Sequence, residues 1–246
     1  MGDPYNLPPQ YEVVRRHYPA FVNIECDIEK TLLSYIKPGM VILDGGCGAG
    51  NAIITECLKQ ADFKVVGVDC NAAALKKNST YHELHVCDLK KISFKTDAFD
   101  IITSFFVMEH LQNPRKVLAE FARLLKPGGI LIVSMPNLYN PVMMGARFTP
   151  HFLHVLFHKM FSGINRPYRT YFRCNTLTSL DRELKRLGFS KKHSMRRGNW
   201  IMYKRWVPLL RLWIALDKLT NMPLLRFTKT NLCVTYTKLP AAAVKK

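Results

Sequence analysis

Short apolar runs alternate with amphipathic segments along residues 40–137 of this 246-residue chain. The runs are rich in β-branched residues, which predicts buried strands. The segments between them repeat apolar residues at steps of three and four, as amphipathic helices do. Strands and helices in alternation predict a parallel, doubly wound α/β sheet. The predicted strands begin near Val41, Lys64, Leu84, Phe99 and Ile130.

The flanking parts continue this pattern less regularly. Residues 1–40 predict a helical N-terminal cover, either packed on the sheet or closing over a ligand, with a first helix around residues 11–21 and a second over Ile28–Ile36. After residue 174, a helix ending at Leu187 and two more strands, Phe189–Met195 and Asn231–Thr237, are predicted. We therefore predict one domain: a core over 41–137, a helical lid insertion over 138–174, and a C-terminal part over 175–246.

A glycine-rich turn follows the first predicted strand. Asp44, Gly46, Gly48 and Gly50 form the pattern D-x-G-x-G-x-G. Glycines at this spacing allow the backbone to turn tightly and to approach a ligand closely, and the helix that follows offers free N–H groups. Asp69 ends the second strand, 19 residues after Gly50. At that distance a Rossmann-type site places an acid on ribose hydroxyls, although an ordinary strand-end acid is the alternative.

The charge of the chain is concentrated in its last hundred residues. The formal net charge is +18, and residues 147–246 hold 21 Lys and Arg against three Asp and Glu. Such asymmetry indicates an anionic partner, which could be a membrane surface, a nucleic acid or an acidic substrate. The alternative is a basic surface without a specific partner.

An amphipathic insertion over 199–229 precedes the last predicted strand, and it holds all three tryptophans of the chain. Lys204, Arg211 and Lys218 recur every seven residues and would share one helix face. An apolar face flanked by cations is typical of a helix in a membrane interface; a helix packed on the domain or on a dimer partner is the alternative. The opposite, apolar face would consist of Trp206, Leu209, Leu210, Trp213 and Leu216.

Other features of the sequence restrict the class of protein. Seven cysteines are scattered without a C-x-x-C pair, which favours reduced thiols in a cytosolic protein over a disulfide framework or a zinc site. Cys47 is expected to be a small loop residue and not a nucleophile. The N-terminus has no signal-peptide core, and no apolar run is long enough to span a bilayer. We expect a cytoplasmic protein that associates peripherally with membranes.

Six short motifs occur in order between residues 40 and 137 and together resemble class I S-adenosylmethionine-dependent methyltransferases, specifically the small-molecule group around the ubiquinone and menaquinone enzymes. The resemblance implies a Rossmann-like fold whose last strand is antiparallel, with S-adenosylmethionine as the cofactor. The motifs are Asp44-x-Gly46-x-Gly48-x-Gly50, Val66-Gly67-Val68-Asp69, Cys87-Asp88-Leu89, Phe99-Asp100-Ile101-Ile102, Glu109-His110-Leu111 and Leu125-Lys126-Pro127-Gly128-Gly129.

The same resemblance implies where the cofactor binds. The turn after the first strand should hold the methionine end, and Asp44 could balance the charge of the sulfonium. The end of the second strand should bind the ribose, the third the adenine, and the end of the fourth the methionine side. The implied cofactor-binding residues are Asp44, Gly45, Gly46, Gly48, Gly50, Asp69, Cys70, Asp88, Leu89, Ser104 and Phe105.

Glu109 and His110 are the candidate catalytic pair. His110 should face the cleft and has a suitable ordinary pKa for a general base, with Glu109 as the alternative base or as its orienting partner. The alternative is that the pair only opens the next helix. Ubiquinone-type enzymes carry another acid three residues before this pair; here Phe106 stands there, so we predict no metal ion. Acceptor contacts are expected in the lid insertion at Tyr139, Met143, Tyr168 and Tyr171.

The leading hypothesis is therefore a methyltransferase that acts on a lipophilic phenol, quinone or lipid, by O-methylation, at or near an anionic membrane surface through residues 200–222. An RNA methyltransferase that uses the basic C-terminal part is the second hypothesis, although no RNA-recognition module is evident. A non-catalytic scaffold that binds the cofactor is the third.

Overall fold

The computed structural model describes residue 16 and residues 24–150, 152–153, 168–198 and 207–240. The predicted helix around residues 11–21 lies outside the described residues except for Arg16, and Lys204 and Trp206 of the predicted amphipathic helix also lie outside them. In the described part of the chain, no helix is long and apolar enough to cross a membrane.

A seven-stranded sheet with the order β3-β2-β1-β4-β5-β7-β6 forms the centre of the fold. Five neighbouring strands, from β3 to β5, run parallel, whereas β7 is antiparallel to both β5 and β6. This confirms the predicted fold class. The strands are β1 Met40–Gly45, β2 Phe63–Asp69, β3 Glu83–Val86, β4 Phe99–Phe105, β5 Leu125–Pro136, β6 Phe189–Arg197 and β7 Asn231–Lys238.

Helices connect the strands and cover both faces of the sheet. The first already includes Ile24, four residues before the predicted start at Ile28, because Ile24 extends the buried row that Ile28 and Leu32 form at four-residue steps. Two 3₁₀ turns, Met108–His110 and Pro223–Thr228, follow β4 and precede β7. The helices are α1 Ile24–Tyr35, α2 Ala52–Leu58, α3 Ala72–Leu75, α4 Pro114–Leu124, α5 Pro141–Phe148, α6 Leu177–Arg186 and α7 Val207–Leu219.

Two apolar clusters, one on each face of the sheet, form the core. On one face Phe121 of α4 and Leu184 of α6 pack against β4, β5 and β7, and on the other Ile28 of α1 and Ile54 of α2 pack against β1 and β2. Because helices cover both faces, the carboxyl ends of the parallel strands are the place where an open α/β sheet binds ligands. The loops after β1, β2 and β4 meet at that edge.

The helix α7 is only partly packed on the domain. Ile214 and Asp217 are buried, whereas Leu212, Leu216 and Leu219 are exposed at four- and three-residue steps. The prediction that Leu216 and Trp213 share one apolar face is therefore too simple, since Trp213 is half-buried and Leu216 is exposed. Arg211 and Lys218, which are predicted to share one helix face, are both exposed.

Candidate active site

The loop after β1 turns through three glycines with positive φ angles. The φ angles of Gly46, Gly48 and Gly50 are 85°, 51° and 101°, a region that side chains with a Cβ rarely adopt. A Cβ on Gly46 would lie 2.5 Å from Cγ2 of Val107, whereas a Cβ on Gly48 would meet no atom within 4 Å. The loop therefore packs against the segment after β4 on one side and is open on the other. Gly45 has a different role, because a Cβ there would lie 2.7 Å from the Phe121 ring.

Asp44 supports this loop from inside the fold. Its side chain is buried; Oδ2 accepts a hydrogen bond from the Tyr81 hydroxyl (2.8 Å) and Oδ1 accepts one from the Thr103 hydroxyl (2.9 Å). Burial raises the pKa of Asp44 to about 6, an effect that the two hydroxyl groups oppose. The Tyr81 oxygen also accepts from the Asn51 N–H (3.1 Å), immediately before α2. Asp44 thus holds the strand, the loop and the helix together.

Asp69 connects the end of β2 to the same loop. Its Oδ2 accepts a hydrogen bond from the Gly48 N–H (2.9 Å), and its Oδ1 accepts one from the Asn71 N–H (2.8 Å). Each oxygen keeps a lone pair for a further donor, as a carboxylate oxygen can accept twice. The structure thus brings Asp69 and the glycine loop together, as the sequence analysis predicts.

The remaining predicted cofactor residues differ in accessibility. Asp88 is largely exposed and accepts hydrogen bonds from the backbone N–H and the ammonium group of Lys90, which hold the pKa of Asp88 below its usual value. Cys70 is exposed, and Leu89 belongs to the core cluster on the α4 face. Ser104 and Phe105 are buried at the end of β4. Cys47 is buried, and burial raises the pKa of its thiol, so it stays protonated.

His110 lies in the 3₁₀ turn after β4, with its ring oriented by the backbone. Its Nδ1 lies 2.9 Å from the carbonyl oxygen of Arg169. Because a carbonyl oxygen only accepts, we assign the ring proton to Nδ1, which leaves the lone pair of Nε2 free. Burial lowers the pKa of His110, an effect that the hydrogen bond to Arg169 opposes. The ring is therefore neutral at pH 7 and able to accept a proton at Nε2.

Glu109 is buried beside this ring. Its Oε1 lies 3.9 Å from Nε2 of His110, and its Oε2 has no hydrogen-bond partner among the described residues. Burial raises the pKa of Glu109 to about 8, so the side chain is a neutral acid at pH 7. Glu109 lies in the first turn of the 3₁₀ helix Met108–His110, and α4 begins only at Pro114, so Glu109 is not a first-turn acid of that α-helix.

A segment of residues 168–173, here called the strap, crosses the 3₁₀ turn. The Tyr168 hydroxyl accepts a hydrogen bond from Nδ2 of Asn71 (2.6 Å), and its ring centroid lies 5.7 Å from that of His110. The strap donates two backbone N–H groups, from Tyr171 and Phe172, to the carbonyl oxygen of Glu109. Tyr168 therefore connects the residues that follow β2 to those that follow β4.

The side chains of the other three predicted acceptor residues have partners other than the His110 ring. Tyr171 accepts a hydrogen bond from the side chain of Gln112 (2.7 Å). Tyr139 packs edge-on against Phe227, with ring centroids 5.9 Å apart, and Met143 is half-buried on α5. Of the four predicted residues, Tyr168 contacts the candidate catalytic pair through its side chain, and Tyr171 contacts it through its backbone N–H, which donates to the Glu109 carbonyl.

Sequence reasoning missed several residues of this site. Tyr81 and Thr103 hold Asp44, yet no motif marks them. Phe106 and Phe172 have positive φ angles of 58° and 49°, a conformation that is rare for bulky residues and clusters at functional sites. Phe106 precedes Glu109 by three residues, and the Phe172 N–H donates to the Glu109 carbonyl. Among the residues that the structure describes, no group of three or more His, Cys, Asp or Glu is arranged to hold a metal ion.

Comparisons with known proteins identify relatives of this chain. The chain is 35% identical over 140 residues to the ubiquinone biosynthesis O-methyltransferase of Nitrosococcus oceani, covering 50% of this chain and 58% of that protein. It is 33% identical over 107 residues to the enzyme of the same name from Maricaulis maris, covering 40% and 41%. The chain thus spans about half the length of these relatives.

Solved structures share the fold at lower identity. An S-adenosylmethionine-dependent methyltransferase from Mesorhizobium loti aligns with a TM-score of 0.58 and 18% identity over 87% of this chain and 98% of that one. The [4+2]-cyclase SpnF aligns with a TM-score of 0.58 and 15% identity, over 87% and 81%. The family model described as "Methyltransferase domain" matches residues 17–194. Because this match spans more than half of the chain, the protein belongs to the class I S-adenosylmethionine-dependent methyltransferase family.

Proposed function

We propose that this protein methylates a hydroxyl group on a lipophilic small molecule, with S-adenosylmethionine as the donor. The observation that carries the proposal is the neutral Glu109–His110 pair, since its free Nε2 lone pair is suited to accept a hydroxyl proton. The relatives named as ubiquinone biosynthesis O-methyltransferases support a hydroxyl on a quinol-like ring as the acceptor. Since a shared fold also includes a named cyclase, the fold alone does not fix the chemistry.

The residues at the carboxyl edge fit the proposed cofactor. No atom lies within 4 Å of the position that a Cβ on Gly48 would occupy, and because glycine has no Cβ, a ligand can approach the loop backbone there. Asp69 has lone pairs left for the two ribose hydroxyls, and Asp88 and Leu89 follow β3 on the side expected for the adenine. Bound there, S-adenosylmethionine would supply an electrophilic methyl group on a positively charged sulfur.

The chain itself would contribute orientation and proton transfer. We expect the acceptor hydroxyl to donate a hydrogen bond to Nε2 of His110, which takes the proton as the acceptor oxygen becomes nucleophilic. The Arg169 carbonyl keeps the other ring proton on Nδ1 and so holds the ring in the competent tautomer. Neutral Glu109 adds no negative charge next to the acceptor oxygen, and its unpartnered Oε2 can hydrogen-bond to the acceptor.

Exposed apolar side chains near the carboxyl edge support a lipophilic acceptor and a membrane location. On α5, Met144 and Phe148 are exposed; on α7, Leu212, Leu216 and Leu219 are exposed beside Arg211 and Lys218. Asn140, which caps α5, donates to the Thr228 carbonyl, so α5 adjoins the 3₁₀ turn Pro223–Thr228 that follows α7 in the chain. An apolar face flanked by cations suits an anionic membrane surface.

The methyl-transfer proposal is tested by incubating the protein with methyl-labelled cofactor and an extract that contains lipids, quinols and RNA. We expect label in a lipid-soluble product, and a loss of about 100-fold or more in His110→Gln, as is usual when a general base is removed. His85→Gln is the matched control, since His85 pairs with Glu83 on the edge strand β3. Label in RNA would instead support the RNA methyltransferase, and full activity of His110→Gln would discard the base.

The membrane part of the proposal is tested separately by sedimentation with anionic vesicles. Leu212→Ser combined with Leu216→Ser should weaken binding about tenfold or more, because two apolar side chains are lost from the interface. Val86→Ser removes an exposed apolar residue from β3, at the opposite edge of the sheet, and should leave binding unchanged. Equal binding by the double variant and the wild type would refute the role of α7.

A further inference from the structure

A basic cavity of about 440 Å³ lies at the outer edge of the sheet, away from the candidate active site. It is formed by the end of the edge strand β6 and by the segment that precedes β7. Arg197 pairs with Asn231 of β7, which pairs with Pro136 at the end of β5, so the cavity is at the carboxyl edge. The strands β5 and β7 separate it from β4. Its lining residues are His193, Ser194, Met195, Arg196, Arg197, Asn221, Arg226 and Lys229.

Basic residues along the lining of the cavity outnumber their acidic partners. Two of its four Lys and Arg side chains have acidic partners: Arg197 contacts Asp27 (2.6 Å), and buried Lys229 contacts Asp217 (2.8 Å). In the part of the chain that the structure describes, Arg196 and Arg226 contact no carboxylate within ion-pair distance. The described lining therefore includes two arginines, Arg196 and Arg226, whose charges no described carboxylate offsets. Such residues suit an anionic ligand such as a phosphate monoester, which carries about −1.5 to −2 at pH 7.

Two of the cationic groups, those of Arg226 and Lys229, are oriented before any ligand binds. Nε of Arg226 donates to the Asn221 carbonyl (3.0 Å). This bond uses only Nε and none of the N–H groups on the two terminal nitrogens of the guanidinium. Nζ of Lys229 is held by both the carbonyl and the carboxylate of Asp217. The forked guanidinium geometry suits phosphate oxygens, and oriented donors lose less conformational freedom on binding.

Exposed apolar residues adjoin the same cavity. Met222 and Leu224 lie in the chain between the lining residues Asn221 and Arg226, and Phe227 follows Arg226. All three are exposed, and Leu224 is 81% exposed. A phosphate in the cavity could therefore carry an apolar chain that lies over this segment. We propose that this cavity binds a phosphate group, carried by the headgroup of a lipid or by a small phosphorylated molecule. The proposal does not depend on methyl transfer, since the cavity and the candidate active site share no residue.

The test is calorimetric titration of the full chain at low ionic strength with inorganic phosphate and, separately, with water-soluble dihexanoyl phosphatidic acid. Arg196→Gln combined with Arg226→Gln should weaken binding of both about tenfold or more, because two charged hydrogen-bond donors are lost. Lys185→Gln combined with Lys192→Gln removes the same charge from exposed positions outside the cavity. This control should bind within about twofold of the wild type, since distant charges are partly screened.

The two ligands distinguish the source of the phosphate. Tighter binding of the lipid, with the difference abolished by Leu224→Gln, assigns a lipid headgroup; equal affinities assign a small phosphorylated molecule. Equal weakening in the cavity variant and in the control would overturn the proposal, as would wild type that binds neither ligand. Where the double variant does not fold, exposed Arg226→Gln alone should still weaken binding severalfold. Affinity for S-adenosylhomocysteine, measured in parallel, should not change in either variant.

Discussion

At the end of β1, the Asp44 carboxylate accepts hydrogen bonds from Tyr81 and Thr103, whereas in the turn after β4 the Glu109 carboxyl has an oxygen without a partner in the described part of the chain. Both acids are buried, and burial raises the pKa of both, to about 6 for Asp44 and to about 8 for Glu109. Hydroxyl donors favour the ionised form of Asp44 and keep its pKa below that of Glu109.

The difference assigns different roles to the two regions. Buried polar groups are normally hydrogen-bonded, so the satisfied Asp44 belongs to the framework of the glycine loop. An unsatisfied buried acid with a strongly raised pKa next to a histidine is the kind of group expected at a functional site, which is the role proposed for Glu109. The two regions meet where Gly46 packs against Val107, two residues before Glu109. Substitutions at this contact and at each acid test the two roles.

The largest expected effect comes from a substitution that disrupts the contact between the two regions. Gly46→Ala should lower the free energy of unfolding by about 3–5 kcal/mol, because the φ of 85° is unfavourable for alanine and its Cβ would lie 2.5 Å from Val107. Chemical denaturation measures this loss. Gly48→Ala is the matched control: its φ is also positive, but its Cβ would meet nothing, so a loss of only about 1–2 kcal/mol is expected.

A second substitution tests whether the clash with Val107 matters. Gly46→Ala combined with Val107→Ala removes the contact while retaining the unfavourable φ. This double variant should therefore be more stable than expected from the sum of the single substitutions, since the two side chains are neighbours. Additive losses would show that the loop and the turn after β4 are independent of each other.

The next effect concerns the proton on Glu109. Because the folded protein keeps this proton above the usual pKa of 4.5, the unfolded chain binds fewer protons between about pH 4.5 and 8, and stability falls as pH rises through this window. Glu109→Gln cannot ionise. Between pH 5 and 9, the unfolding free energy of the wild type should fall by roughly 3 kcal/mol, whereas that of the variant should not show this loss. The value follows from about 1.4 kcal/mol per pKa unit, reduced because the protein around the charged carboxylate relaxes.

The control for this prediction is an acid with the opposite shift. Arg123 holds the pKa of Glu120 below its usual value, so the stabilisation from Glu120 is lost only as pH falls below about 4.5. Glu120→Gln should therefore follow the wild-type profile between pH 5 and 9. If Glu109→Gln also follows that profile, Glu109 is ionised in the folded protein and is not a neutral acid.

The glycine loop and the strand-end acids could be predicted from the sequence because each belongs to one short segment. Asp44, Asp69 and the pair Glu109–His110 follow apolar runs directly, and parallel strands bring their carboxyl ends to one edge. The order of strands and helices follows from the alternation of apolar patterns in the same way. These features depend on the spacing of residues along the chain, which can be read directly from the sequence.

Contacts across the fold could not be predicted in this way. Tyr81 lies 37 residues from Asp44, and Tyr168 lies 97 residues from Asn71, so only the packing of separate segments brings them together. The positive φ of Phe106 also contradicts its local preference, and surrounding packing must impose it. On α7, helical spacing identified an apolar surface, but the buried side includes Asp217, which pairs with Lys229 from a separate segment of the chain.

The smallest expected effect tests the framework role of Asp44. Thr103→Val keeps the shape of the side chain and removes the hydroxyl donor to Asp44, which should cost about 1–2 kcal/mol. Because that hydrogen bond lowers the pKa of Asp44, its loss raises the pKa further, so the ionised carboxylate becomes less favourable and the cost should be greater at pH 8 than at pH 5. Thr235→Val is the matched control, since the buried Thr235 hydroxyl has no partner in the described chain and its removal should be neutral or stabilising. A cost that is equal at both pH values would mean that Thr103 stabilises the strand without acting on the charge of Asp44.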